Sequence, residues 1–251
     1  MVNFVGAGCG AADLITVRGK ALIEQADVII YAGSLVNPEL LDYAKADCKI
    51  HNSAYMTLDE VISVMEQAEK KGRNTVRLHT GDPSLYGAVR EQMDKLNELN
   101  ISYEICPGVS SFCGAAAALK AEYTLPEISQ TVIITRMAGR TCVPEKESIE
   151  ALASHGATMV IFLSTGLLKE LSERLIRGGY DPDTSAAIVY KASWADEKVC
   201  RCTVGTLFET AEKNDIKKTA LITVGNFLGD DYALSKLYDE SFETEFRRAK
   251  K

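Results

Sequence analysis

The chain has 251 residues, enough for one large α/β domain or two smaller ones. Lys and Arg total 28 against 35 Asp and Glu, a formal net charge of −7, which excludes a broad phosphate-neutralising surface for DNA or RNA. With 46% hydrophobic and 25% charged residues it is neither disordered nor fibrous and can bury a substantial core.

No run approaches the roughly 20 apolar residues of a membrane helix. The opening Met-Val-Asn-Phe-Val has neither a basic segment nor an apolar core of leader type, so a cytoplasmic protein is expected. Seven scattered cysteines read as reduced thiols. Cys200 and Cys202 share one face of a strand, and His51, His79 and His155 form no spaced cluster, so no protein metal site is expected.

Short β-branched runs alternate with helical segments, the pattern of an α/β protein with mainly parallel strands. The first predicted strand, Val2–Val5, runs into Gly6-Ala7-Gly8-Cys9-Gly10-Ala11, a loose G-x-G-x-x-A turn before a helix. A nicotinamide site also wants an acid after the second strand, but Asp27–Tyr31 is followed by Ala32-Gly33-Ser34. That weakens the dinucleotide reading and favours a plain strand-to-helix turn. A helix begins after Thr57, with Thr57 and Glu60 at capping-box spacing, an apolar stripe through Val61, Val64, Met65 and Ala68, and Gly72 as its stop.

Thr75–Thr80 is the next predicted strand, closed by Thr80-Gly81-Asp82-Pro83. Asp82 has cap chemistry for a helix opening at Ser84, with Pro83 at its first position. Ser102–Cys106 follows, then Pro107-Gly108-Val109-Ser110-Ser111 and an Ala-rich helix over Ser110–Leu119. Three Gly-containing loops at strand carboxyl ends point to a small-molecule site.

Lys120–Gln130, with Pro126 and no period, marks a boundary, giving domains 1–120 and 121–251. Beyond it the predicted strands are Thr131–Met137, Thr158–Ser164, Ala186–Lys191, Val199–Val204 and Ala220–Val224. One intervening helix stops at Gly178-Gly179. Little chain separates Tyr190 from the strand around Cys200, so those two form an antiparallel hairpin. The tail Glu243–Lys251 is charged and expected to fray.

Several of these segments together resemble the tetrapyrrole methylases: Val5-Gly-Ala-Gly-Cys-Gly-Ala-Ala-Asp-Leu-Ile-Thr16, His79-Thr-Gly-Asp-Pro-Ser-Leu-Tyr-Gly87 and Cys106-Pro-Gly-Val-Ser-Ser111. Asp27–Val36, Thr131–Thr141, Val143–Glu145, Ile161–Ser164 and Tyr190–Lys198 resemble the branch of that family that methylates C11 of precorrin-4. One departure is Cys9, where the family's first loop reads proline, so a fixed φ is lost. The resemblance implies two αβα domains with a cofactor cleft between them, S-adenosylmethionine as methyl donor, S-adenosylhomocysteine as by-product and a homodimer. It places cofactor contacts on Thr80, Gly81, Asp82, Leu85, Ser110 and Ser111, near Leu163, Ser164 and Ala192, and on Ala220 and Leu221 for the adenine. Phe112–Leu119 has little polar face, so it is either a dimer surface or a helix buried inside its own domain.

The implied reaction moves a methyl group to C11 of precorrin-4 or its cobalt form, and the two forms stay open. The related uroporphyrinogen methylases carry Asp where Ala32 stands, which favours the C11 branch. No His or acid pair marks a general base, and none is required, because orientation alone supplies on the order of 7–11 kcal/mol. A polycarboxylate substrate calls for cations, for which Arg136, Arg140 and Lys191 are the candidates against the reading of solvated surface charges. The alternatives are a methylase of this fold acting on another precorrin carbon or a protein residue, a nicotinamide oxidoreductase, and a non-catalytic tetrapyrrole or nucleotide binder.

Overall fold

The structure, a computed structural model, describes residues 1–33, 35–139 and 141–249. The chain divides into two compact units, one of Met1–Ala115 with Lys191–Glu197, the other of Ala116–Tyr190 with Lys198 onward.

The first unit holds β1 (Val2–Gly6), α1 (Val17–Gln25), β2 (Val28–Tyr31), β3 (Lys49–Asn52), α2 (Leu58–Glu69), β4 (Thr75–His79), α3 (Arg90–Glu98), β5 (Tyr103–Cys106) and the start of α4 (Ser111–Leu119). Its sheet has the order β3-β2-β4-β1-β5, with every pair parallel. Alternating side chains of β1 serve both faces. Val2 and Phe4 join Val28 and Ile30 against Val61, Met65 and Leu96, while Val5 joins Ile29, Val76 and Leu78 against Ile23. Burial on both faces is why β1 and β2 read as nearly unbroken apolar runs.

The helix predicted after Thr57 is present. Thr57 Oγ1 accepts the Glu60 amide at 3.3 Å, Glu60 Oε2 accepts the Thr57 amide at 2.7 Å, and Gly72 is left-handed at φ +63°. Two features differ from expectation. β3 was not foreseen, because Lys-Ile-His-Asn is the polar sequence of a half-solvated edge strand. No helix opens at Ser84 either: Tyr86 (φ 55°) and Ala88 (φ 48°) are left-handed, which breaks a helical path, and α3 begins only at Arg90.

The second unit holds β6 (Val132–Arg136), α5 (Ile149–Ala153), β7 (Thr158–Phe162), α6 (Leu168–Arg177), β8 (Ser185–Tyr190), β9 (Lys198–Thr203), α7 (Leu207–Lys213) and β10 (Ala220–Val224). Its sheet runs β6-β7-β10-β8-β9. The expectation of mainly parallel strands fails here. β6 and β7 are parallel, but β10 lies antiparallel between β7 and β8, and β8 pairs antiparallel with β9. The β8–β9 hairpin itself was legible, since its short connection cannot make a parallel crossover. Leu168, Leu171 and Leu175 of α6 and Leu207 and Ala211 of α7 pack with Met159, Ile161 and Ile188 of the sheet.

Candidate functional site

In the first unit β4, β1 and β5 are parallel neighbours, so the loops that follow them emerge at one edge of the sheet. The first two loops are hydrogen-bonded to each other. The Gly81 amide donates to the Gly8 carbonyl at 2.9 Å, and the Gly8 amide to the Gly81 carbonyl at 3.3 Å. The third packs backbone to backbone: a Cβ on Gly6 would lie 2.5 Å from Gly108 Cα and 2.6 Å from the Gly81 carbonyl oxygen. Gly8 (φ +82°) and Gly81 (φ +61°) also need the left-handed region that glycine enters without strain.

Asp82 ties two of these loops together. Its Oδ2 accepts the Gly108 amide at 2.8 Å, and its Oδ1 accepts the Ser84 amide at 2.8 Å and the Ser84 hydroxyl. Asp82 therefore closes an Asx turn rather than capping a helix. Partial burial pushes its pKa upward, but the bonds from the Ser84 hydroxyl, the Gly108 amide and the Ser84 amide outweigh it and hold the carboxyl below its usual value.

The neighbouring groups face a ligand differently. Thr80 Oγ1 is buried without a hydrogen-bond partner among the described residues. Gly81 is buried, and a Cβ there would be in van der Waals contact with the Ser110 and Ser111 backbone at 3.5 Å. Ser110 is buried, and its carbonyl accepts the Cys113 amide at 3.0 Å as α4 begins; Ser111 and Leu85 are half-buried. His79, which the sequence reading did not single out, is 4% exposed and stacks on Phe4 at 6.1 Å. Burial, with the charge of Arg77 adding to it, pushes its pKa down to about 3, so it stays neutral and is no proton store at neutral pH. The signal available in the sequence is a histidine that closes a strand whose alternate residues are Val76 and Leu78.

The segment Lys191–Glu197 belongs to the first unit. Ala192 is buried, and its carbonyl oxygen and the Trp194 ring occupy the space where a Gly10 Cβ would go, at 2.5 and 2.4 Å. Lys191 pairs with Asp196 at 2.6 Å and lies 5.4 Å from the Trp194 ring centre, so its charge is met within its own segment.

In the second unit the candidates also share one sheet edge. β10 is antiparallel to β7 and β8, so its start at Ala220 and Leu221 lies beside their ends. Thr165 Oγ1 accepts the Ala220 amide at 3.4 Å and donates to the Ala220 carbonyl at 3.1 Å. Leu163 is left-handed (φ 53°) and 66% exposed, a strained apolar side chain turned to solvent. Ser164 is buried and engaged in the fold, accepting the Met137 amide at 2.9 Å and donating to the Phe162 carbonyl at 2.7 Å. Arg136 donates to the carbonyls of Met137, Thr141 and Cys142 at 3.1, 3.2 and 2.9 Å, and so shapes the loop beyond β6. Arg140 lies outside the described residues.

Among the described residues no group of three or more His, Cys, Asp or Glu side chains could hold a metal ion. Along α4, Ala115 and Leu119 are buried and Phe112 is half-buried, while Cys113 and Ala117 are exposed.

Comparison with known proteins agrees along the whole chain. A cobalt-precorrin-4 C(11)-methyltransferase from Methanocaldococcus jannaschii is 55% identical over 251 residues, covering 100% of this chain and 97% of the relative. A precorrin-4 C(11)-methyltransferase from Pseudomonas aeruginosa is 44% identical over 238 residues, 94% of each chain. The X-ray structure of a cobalamin biosynthetic enzyme, cobalt precorrin-4 methyltransferase, superposes with a TM-score of 0.89 at 44% identity, covering 91% of this chain and 95% of that one. The family model described as tetrapyrrole (corrin/porphyrin) methylases matches residues 1–207, and the chain belongs to that family.

Proposed function

We propose that this chain transfers a methyl group from S-adenosylmethionine to C11 of cobalt-precorrin-4, giving cobalt-precorrin-5A and S-adenosylhomocysteine. The observation that carries this reading is the sheet edge built on Gly6, Gly81 and Gly108, in a chain whose full-length relatives bear the names of C11-methyltransferases. The cobalt form is the substrate named for the relative at 55% identity.

The residues present suit the cofactor. A buried hydroxyl without a partner at Thr80 is what a polar ligand at that edge would satisfy. On this reading Thr80, Gly81, Asp82, Leu85, Ser110 and Ser111 contact it, further contacts fall near Leu163, Ser164 and Ala192, and Ala220 and Leu221 serve the adenine. When bound, the cofactor supplies an electrophilic methyl group on a sulfonium. The chain's own task is placement, which its interlocked loops perform by removing freedom before the ligands arrive.

The substrate's carboxylates fall to Arg136, Arg140 and Lys191. Arg136 acts by its charge and by the loop it shapes, and Lys191 exchanges part of its pairing with Asp196 for a substrate carboxylate. The enzyme is further proposed to be cytoplasmic and homodimeric. All seven cysteines are free thiols, and no helix among the described residues is long and apolar enough to cross a membrane.

The test is incubation of the purified protein with methyl-labelled S-adenosylmethionine and cobalt-precorrin-4, followed by mass spectrometry and NMR of the product. Label at C11 is expected. A protein that binds S-adenosylhomocysteine but never labels C11 would overturn the assignment of the carbon. Light scattering at micromolar concentration checks the dimer, and a mass of 27.4 kDa would exclude it.

A further inference from the structure

Ser193 lies on the segment that packs against the first glycine loop, far from it in sequence. Its hydroxyl accepts the amide of Ala11 at 3.0 Å and lies 3.4 Å from the thiol of Cys9, and its own amide donates to Glu197 Oε2 at 2.6 Å. Ser193 is left-handed at φ 66°, and so is Lys191 at φ 46°. Neither is glycine, and such conformations persist only where surrounding contacts over-determine them. The contacts are the turn closed by the Trp194 amide on the Lys191 carbonyl, the Glu197 amide on the Trp194 carbonyl, and the Lys191–Asp196 ion pair.

The loop that Ser193 holds is short and glycine-rich, and Cys9 does nothing to fix its φ. Its conformation must therefore come from partners. One end is held by the Ala7 amide on the His79 carbonyl at 2.7 Å, and its centre by the paired Gly8 and Gly81. Beyond Gly8, the bond from Ala11 to Ser193 is the side-chain contact that fixes the loop's exit. Through the Gly8–Gly81 pair the same loop borders Thr80, Gly81 and Asp82.

We propose that Ser193 is a positioning residue for methyl transfer: its hydroxyl sets the Gly6–Ala11 loop, and through the Gly8–Gly81 pair it sets the cofactor-binding turn Thr80–Asp82. The proposal rests on the cofactor assignment made above. It gives a role to a position that lies in sequence far from every loop it governs.

The experiment compares the parent with Ser193→Gly and Ser193→Ala. Both lose the hydroxyl, but glycine also relieves the left-handed backbone, so the glycine variant folds at least as readily and isolates the hydroxyl's contribution. Amide hydrogen exchange in the ligand-free protein is read at Ala11, Gly8 and Gly81, and S-adenosylhomocysteine affinity by calorimetry. Exchange at all three amides should accelerate in both variants, and affinity should fall about two- to tenfold, as expected for one ordinary hydrogen bond. Steady-state kinetics should show the loss mainly in KM for the methyl donor. Unchanged Gly81 exchange in a folded Ser193→Gly protein overturns the relay, whatever the ligand result. Unchanged affinity alongside faster exchange also overturns it. A parent that binds no S-adenosylhomocysteine would instead bring down the cofactor assignment, a result the exchange data keep separate.

Discussion

Asp82 and Gly108 join the loops after β4 and β5 through a 2.8 Å hydrogen bond from backbone amide to carboxylate. The same carboxylate receives the Ser84 amide, so one side chain holds a turn and a neighbouring loop together. Removing it should cost about 1.5–3 kcal/mol, the range for hydrogen bonds to a charged group. Asp82→Ala is therefore expected to lower both the melting temperature and the affinity for S-adenosylhomocysteine, with Asp82→Asn falling between. The folded carboxyl sits below its usual pKa, so its stabilisation is present above about pH 4 and lost as pH falls through the lower, folded value. Urea unfolding of parent and Asp82→Asn across that range checks this: the gap between them should shrink with acid.

Leu163 combines a left-handed backbone with an exposed apolar side chain. A non-glycine residue there bears a cost of about 1–2 kcal/mol. Leu163→Gly should leave stability unchanged or raise it, while weakening S-adenosylhomocysteine binding through loss of the apolar contact. Calorimetry and thermal melts on the same samples decide it. A variant with unchanged affinity would mean that the side chain serves no ligand.

His79 yields a pH signature of its own. Its pKa is near 3 when folded, whereas an unfolded histidine takes up a proton near pH 6.5. The unfolded chain binds the extra proton first, so stability should fall as pH drops below about 6.5, by about 1.4 kcal/mol per unit at most. Few carboxylates titrate until about pH 4.5, which leaves a clear window. His79→Leu should flatten the curve between pH 6 and 5, measured by chemical denaturation. An equal slope in both proteins would mean that His79 does not cause it.

Arg136 reaches three carbonyls at once, which needs the planar, multiply donating guanidinium. Arg136→Lys keeps the charge but cannot reproduce that fork. Both Arg136→Lys and Arg136→Ala should therefore raise KM for the tetrapyrrole, while leaving S-adenosylhomocysteine affinity within about twofold. Full activity in Arg136→Lys would show that charge alone matters at this position.

Much of the fold was legible because burial leaves a periodic mark. Val2–Gly6 and Thr75–His79 are buried on both faces and marked by Val2, Phe4, Val5, Val76 and Leu78, and the Thr57–Glu60 capping box announces α2 outright. The three glycine loops could be assigned to one sheet edge for the same reason, since parallel strands put their ends together. Other features depend on partners distant in sequence. The Lys-Ile-His-Asn strand has no apolar pattern, because pairing with β2 rather than burial makes it a strand. The place of β10 between β7 and β8 is a tertiary choice that no local spacing encodes. At Asp82 the expected helix cap is instead an Asx turn, because the same side-chain chemistry serves both and left-handed Tyr86 and Ala88 break the helical path. The pairing of Ser193 with Ala11 carries no local signal, because the two lie 182 residues apart.

That separation bears on how the protein is made. A ribosome delivers β1 to β5 and the first glycine loop long before it delivers Lys191–Glu197. Until then the nascent N-terminal sheet exposes the surface of Gly10 that Trp194 and the Ala192 carbonyl will cover. Contacts of such long range close late and slow folding, because the loop-closure entropy comes before any reward. The first part of the chain to be synthesised is thus among the last to reach its final form, and a truncation just before residue 191 would remove part of the N-terminal unit along with the C-terminal one.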